Sequence, residues 1–210
     1  MTTGLVRVTT IPAYAQGSSQ ALAMTERGEL LIAEALPRLA DVVRQGGSFY
    51  KVTDAVAAVT AVPTTTAPHS LWNGESAGGP SYVVDRISWI CTTSNAAASR
   101  FTMVAMLNKA AVASQPATAD TATTVSTLDG SDYTGKALSS HTVTVVNDNW
   151  FQLGPSVETA LSATVGASLE AECLFIVKPG YLLNVAIVAQ STTALGKVAF
   201  RLHKVQLTVA

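Results

Sequence analysis

A chain of 210 residues that is 48% hydrophobic and only 13% charged departs from ordinary soluble domains, about 25% of whose residues are charged. Its net charge is −1, with acids and bases interspersed, so it lacks the basic face by which nucleic-acid binders neutralise phosphates, and no apolar run reaches the roughly 18 residues of a membrane helix. A lone globule of this composition exposes apolar area that prefers contact with protein, so the expectation is a subunit of an assembly, with neither nucleic acid nor membrane as partner.

The first segment, Met1 to Met24, reads as an extended arm. Ala13-Tyr14-Ala15 looks like a secretory cleavage site, but the stretch before it holds Thr2, Thr3, Gly4, Arg7, Thr9, Thr10 and Pro12 and forms no apolar signal core. Synthesis in a cytoplasm without Sec export is the expectation. From Glu29 to Gln45, Ile32, Leu36, Leu39 and Val43 fall at helical spacing. Pro37 does not fit the middle of a helix, because it lacks an N–H and clashes with the preceding turn. The spacing therefore predicts extended chain to Leu36, a short helix with Pro37 at its first position, and a stop at Gly46-Gly47. Because that glycine pair follows a helix, its amides form no N-terminal phosphate site.

Strands are expected at Ser48 to Thr53 and Val56 to Val62, before a Pro/Thr loop from Pro63 to Pro68. Ser81 to Cys91 and Arg100 to Leu107 flank a polar connection around Asn95, and Thr142 to Val146 leads to Trp150 and Phe151. Between Ala113 and Ser140 the chain is rich in Thr, Ala, Ser and Asp, with a turn signal at Asp129-Gly130; this segment is expected to project, as a mobile loop or as an arm contacting a neighbour.

The last third alternates clearly. Leu169, Ala171, Cys173, Phe175 and Val177 share one face, and Glu170, Glu172 and Lys178 the other, the period of a half-buried strand. Pro179-Gly180 suits the centre of a type II turn. Tyr181, Leu183, Val185 and Ile187 then share a side. In the final strand Phe200 and Leu202 have one parity and Val205, Leu207 and Val209 the other, which predicts a β-bulge near His203-Lys204. Lys197, Arg201, His203 and Lys204 read as one solvated strand face. Short strands with polar loops predict an all-β, antiparallel β-sandwich of jelly-roll type, residues 50–210, preceded by an N-terminal arm with one short helix, residues 1–49.

Gly74-Glu75-Ser76-Ala77-Gly78-Gly79 matches the G-x-S-x-G nucleophile elbow and resembles the serine motif of the carboxylesterase family, which implies a Ser76 nucleophile with a later acid and histidine. Glu158 or Asp148 with His203 stand in the right order. However, no His-Gly-Gly-Gly loop precedes Ser76, and Tyr82, Val83, Val84, Ile87, Trp89 and Ile90 after it favour a strand over a helix. The alternative is a glycine-rich hairpin joining Leu71-Trp72 to Tyr82-Val83, and with it no catalytic residue and no enzyme.

Metal and cofactor sites are not expected. His69, His141 and His203 are isolated, and Asp129, Ser131 and Asp132 with Gly130 and Gly135 lack the closing acid of a calcium loop. Trp72, Trp89 and Trp150 sit beside apolar strand residues and read as packing; exposed on a loop tip, they or Tyr133 would instead suit a glycan. Cys91 and Cys173, each in an apolar stretch, read as buried thiols.

Two stretches resemble small structural proteins of tailed bacteriophages. One is Gly28-Glu29-Leu30-Leu31 through Ala35-Leu36-Pro37-Arg38-Leu39-Ala40-Asp41 to Arg44-Gln45-Gly46-Gly47-Ser48-Phe49. The other is Leu71-Trp72-Asn73-Gly74 with Gly78-Gly79-Pro80-Ser81-Tyr82-Val83-Val84-Asp85-Arg86-Ile87. The Pro179-Gly180-Tyr181 hairpin and last long strand are similar too. The resemblance implies a virion protein assembled in the host cytoplasm, with an N-terminal extension before a jelly roll and a head decoration, cement or fibre-like role. It implies a homo-oligomer, a trimer first, beside virion proteins such as the major capsid protein. The rival role is a receptor- or glycan-binding tail or fibre protein facing a host-surface glycan; a Ser76 hydrolase is the remote one.

Overall fold

The computed structural model describes residues 48–93, 99–116, 118–121, 124–126, 136–145, 149–159, 168–190 and 193–205, all within a unit spanning 38–210. The expected helix from Pro37 to Gln45 lies outside the described residues. Those residues form β1 (Ser48–Val52), β2 (Val56–Ala57), β3 (Thr66–Ala67), β4 (His69–Asn73), β5 (Ser81–Cys91), β6 (Ser99–Leu107) and β7 (Thr124–Ser126), followed by β8 (Ala137–Ser140), β9 (Val143–Thr144), β10 (Phe151–Thr159), β11 (Ser168–Val177), β12 (Leu182–Ala189) and β13 (Leu195–Val205). The described part is all-β, without a helix.

Every ladder between these strands is antiparallel. The first sheet runs β11-β5-β13-β1-β7, with β2 also on β13; the second runs β10-β6-β12-β4-β8; β3 and β9 make a separate pair. The two large sheets share one core. Phe49, Tyr82, Ile87, Trp89, Phe200 and Leu202 enter it from the first sheet, and Leu71, Phe101, Met103, Leu183, Val185 and Ile187 from the second. Trp89 and Phe101 meet across it with ring centroids 5.2 Å apart. Burying each such side chain contributes about 1.5–3 kcal/mol.

Alternation explains which residues point inward, and bulges explain where it breaks. On β5 the core residues are Tyr82 and Val84, then Ile87, Trp89 and Cys91. The parity switches because β5 carries Asp85 in excess over β13: Arg201 pairs with Arg86, and Leu202 with Val84. The register of β11 also slips, between Glu172 and Phe175. The bulge expected in the last strand at His203-Lys204 is not there: β13 pairs continuously with β5 from Leu202 to Val205, and the extra residue of this ladder, Asp85, is on β5.

β12 reads Leu-Leu-Asn-Val-Ala-Ile-Val-Ala and is buried on both faces. Its outer face is covered in part by loops. The segment from Val112 to Thr118 lies against Leu182, and Val59 extends the sheet along the edge of β12, exchanging backbone bonds with Ile187 O and Ala189 N, each at 2.8 Å. A strand covered on both sides needs no polar alternation.

Four details correct the sequence reading. β1 starts at Ser48 and Phe49 is a core residue, so these two belong to the sheet and not to the arm ending at residue 49. The region from Ala113 to Ser140, expected to project, supplies an edge strand to each sheet, β7 on β1 and β8 on β4. Within the Pro/Thr loop, β3 finds a partner in β9. Finally, the Pro179-Gly180 turn has the expected geometry, with Gly180 at φ +81° and Tyr181 N bonded to Lys178 O at 3.0 Å, but it joins β11 to β12 in the other sheet and so is no hairpin.

Candidate functional site

The Gly74–Gly79 motif lies between β4 and β5, strands of different sheets, so it is an arch and not the expected hairpin. A strand follows it. Ser76 is exposed, and its backbone carbonyl accepts the Gly79 N–H at 2.8 Å. The glycines have packing reasons. A Cβ on Gly79 would stand 2.9 Å from Ser76 O, and one on Gly74 would stand 2.8 Å from the Trp72 ring. Glu75 Oε1 accepts the Tyr82 hydroxyl at 2.7 Å and lies 3.4 Å from Lys204 Nζ.

Asn73 holds the arch. Its amide donates to Val177 O at 2.8 Å and to Pro80 O at 3.1 Å, and its Oδ1 accepts the Glu75 N–H at 3.0 Å. Its own backbone bonds Gly180 N and Tyr181 O. Asn73 is fully buried, so this one residue ties the β4–β5 arch to the end of β11 through its side chain and to the β11–β12 turn through its backbone. The sequence offered only Asn before Gly as a turn signal here.

The residues nominated beside Ser76 serve elsewhere. Glu158 on β10 in the second sheet pairs with Arg100, whose Nε lies 2.8 Å from Oε1. His203 on β13 faces outward beside Asp85 and Arg201, and its Nδ1 is buried without a hydrogen-bond partner among the described residues. Burial lowers its pKa, an effect the Asp85 charge opposes and the Arg201 charge reinforces. Asp148, Tyr133 and the loop Asp129 to Gly135 lie outside the described residues.

A second polar group, unforeseen in the sequence, lies where β1 meets β4 and β8. Thr53 Oγ1 accepts the Val198 N–H at 3.0 Å and hydrogen-bonds His69 Nδ1 at 2.9 Å, linking the first sheet to the second. The hydroxyl can give its proton to the ring or accept one from it, since its oxygen has a second lone pair beside the one that takes the Val198 N–H. Burial, reinforced by the charge of His141, lowers the His69 pKa from 6.5 to about 3.

Lys51 shares the inward parity of Phe49 and is buried. Burial lowers its amine pKa, against the opposing pull of Asp120 and Asp54. Asp120 has a fully buried side chain; its Oδ1 lies 2.8 Å from His141 Nδ1, and its Oδ2 has no hydrogen-bond partner among the described residues. Asp54 accepts the Thr121 N–H at 2.9 Å. These groups tie residues 118–121 to β8 and to the end of β1, closing the sheets at that margin. No cluster of three or more His, Cys, Asp or Glu placed to hold a metal occurs among the described residues.

The tryptophans do not form one surface. Trp89 is in the core, Trp72 donates to Val112 O at 3.3 Å, and Trp150 is half-buried. Cys91 is a buried free thiol; the Cys173 side chain lies outside the described ones.

No family model matches this chain, and neither a curated protein nor a solved structure matches it.

Proposed function

We propose that the two sheets form a jelly roll and that the chain is a structural component of a bacteriophage virion, a capsid decoration, cement or head-associated protein. The observation that carries this reading is the strand order. β1-β13-β5-β11 in one sheet and β4-β12-β6-β10 in the other interleave eight strands, and taken in chain order these eight cross between sheets at every step except β6 to β10. Two interleaved Greek keys of this kind build viral capsid and lectin domains.

A fold alone does not assign a role. The charge deficit supports one of assembly, because the larger, obligate interfaces are the more apolar class. Ile90, Phe151, Ile176 and Val62 stand exposed on the described surface. The resemblance of residues 28–49 and 71–87 to tailed-phage proteins points the same way. The reading assigns a homo-oligomer, a trimer first, with residues 1–47 reaching its neighbours and the major capsid protein as a further partner in the virion. It assigns no catalytic residue: Ser76→Ala leaves particle properties unchanged, and an organophosphonate leaves Ser76 unmodified.

The test is to delete residues 1–47 and follow incorporation into particles by gradient sedimentation and electron cryomicroscopy. The reading expects a folded β domain that no longer joins the particle. Normal incorporation of the truncated chain, or a full-length chain that stays monomeric and binds no particle, would overturn it.

A further inference from the structure

Between β8 and β9 the chain turns through Thr142, at φ +54° the single non-glycine residue with positive φ among those described. For a β-branched residue this is a strained conformation, costing about 1–2 kcal/mol. Such strain persists where surrounding structure over-determines it, and it concentrates at ligand clamps.

β9 pairs with β3 alone: Thr144 faces Thr66, Val143 faces Ala67, and Val145 N bonds Thr65 O at 2.9 Å. Antiparallel alternation then directs the N–H and C=O of Thr144 away from β3. A groove of about 460 Å³ is lined by Thr142, Val143 and Thr144 but by neither residue of β3. Opposite them stand Val112, Ser114, Gln115, Pro116 and Thr118, and Leu182 of β12 completes the lining.

No lining residue is charged. Gln115 Nε2 is committed to Ser139 O at 3.1 Å, and the Thr118 hydroxyl donates to His141 O. Those bonds fix one wall. The exposed hydroxyls of Ser114, Thr142 and Thr144 remain for a ligand, with Gln115 Oε1 and the open Thr144 peptide group. Val112 and Pro116, both half-exposed, supply the apolar surface between them, with Leu182 and Val143 buried behind. Asp120 and His141, neither of them in the lining, bond each other at 2.8 Å.

We infer that this groove binds a neutral saccharide of about disaccharide size. Its volume falls within the range of about 300–1,000 Å³ typical of small-ligand sites. A sugar offers hydroxyls to the three side-chain hydroxyls and an apolar C–H face to Val112 and Pro116. An anionic sugar finds no cation in the lining. A peptide adding a strand would gain only the one open peptide group of a two-residue strand. None of Trp72, Trp89 and Trp150 lines the groove, although Trp72 Nε1 donates to the backbone of the lining residue Val112; the inference holds whether or not the chain is a virion component.

The test titrates isotopically labelled full-length protein with maltose, lactose and mannobiose, with sialyllactose as the anionic counterpart and a capped Thr-Val-Thr-Val peptide as the strand counterpart. Saturable amide shifts confined to residues 112–118 and 142–144, with at least one neutral disaccharide, are expected. Thr144→Val or Ser114→Ala should weaken that binding about tenfold, the loss of one hydrogen bond, without altering the fold. Thr142→Gly should raise thermal stability by removing the strain and yet weaken binding. The inference is overturned if none of the three disaccharides gives saturable shifts, if the shifts lie elsewhere, if sialyllactose or the peptide binds more tightly, or if both hydroxyl variants bind normally.

Discussion

Arg201 Nε donates to Asp85 Oδ1 at 2.7 Å, and Asp85 is the residue that β5 carries in excess over β13. The ion pair therefore sits on the bulge that switches the parity of β5. Both side chains are mostly covered, at 20% and 17% exposure, so solvent screens the pair less than an ordinary surface bridge. The hydrogen bond to Asp85 raises the Arg201 pKa further, against the opposing effect of burial.

Asp85→Ala and Arg201→Ala should each destabilise the fold by about 1–2 kcal/mol, and the double variant by clearly less than the sum. Denaturant unfolding of the three variants gives the coupling directly. Additive losses would show that the bulge holds without the pair.

Gly196 lies against the Trp89 indole so closely that a Cβ there would stand 2.1 Å from Nε1. Gly196→Ala should therefore displace Trp89 from the core, at a cost of about 3 kcal/mol, and change its fluorescence. Gly78 is the control: it has φ +81° and nothing within 4 Å of an added Cβ. Gly78→Ala should cost only the conformational penalty of about 1 kcal/mol and leave the Trp89 signal alone.

Much of this fold was legible in period-2 alternation. Ser81–Cys91 was bounded correctly at both ends from its β-branched and aromatic residues, although the extra Asp85 breaks its alternation, and the inward set Leu169, Ala171, Phe175 and Val177 was read from alternation, because one face of β11 meets the core. β12 gave less information, since both its faces are buried. β7 and β8 were hidden in a polar stretch: β8 brings only Ala137 to the core cluster, and the Ser139 hydroxyl beside it donates to Val52 O. The polar group of Lys51, Thr53, His69, Asp120 and His141 was illegible for another reason. Its members are separated by up to ninety positions and meet only after both sheets form.

His69 makes stability depend on pH in one direction. Its folded pKa is about 3 and its ordinary value 6.5, so between those limits the unfolded chain binds a proton that the folded chain refuses. Stability from this group is complete above about pH 6.5 and falls as pH drops, by up to about 1.4 kcal/mol per unit. His203, also lowered, adds a slope of the same sign. Other acid-titrating groups contribute as well, so the measurement is a difference. His69→Gln, whose amide can still hydrogen-bond Thr53, should show a shallower loss of stability between pH 6.5 and 4 than the parent chain. Parallel profiles would mean that His69 accepts a proton while folded.

Asn73 is the residue on which the arch from β4 to β5 and the turn from β11 to β12 converge. Its side-chain N–H groups reach Val177 O and Pro80 O, and its carbonyl takes the Glu75 N–H, with no exposed surface. Asn73→Ala leaves two carbonyls and one amide without these bonds in a buried place, at a cost of about 1–3 kcal/mol for each group that water cannot reach. A loss of about 3 kcal/mol or more is therefore expected. Asn73→Asp separates hydrogen bonding from packing. It keeps the shape and the acceptor for Glu75 but turns a carboxylate oxygen towards the two carbonyls, so it should destabilise the fold at least as much as alanine does at neutral pH. Part of that loss should return in acid, where a protonated carboxyl can donate one bond. Unfolding curves at neutral and acidic pH, each referred to the parent chain, read this out. If Asn73→Asp is as stable as the parent at neutral pH, the two donated bonds do not hold the arch.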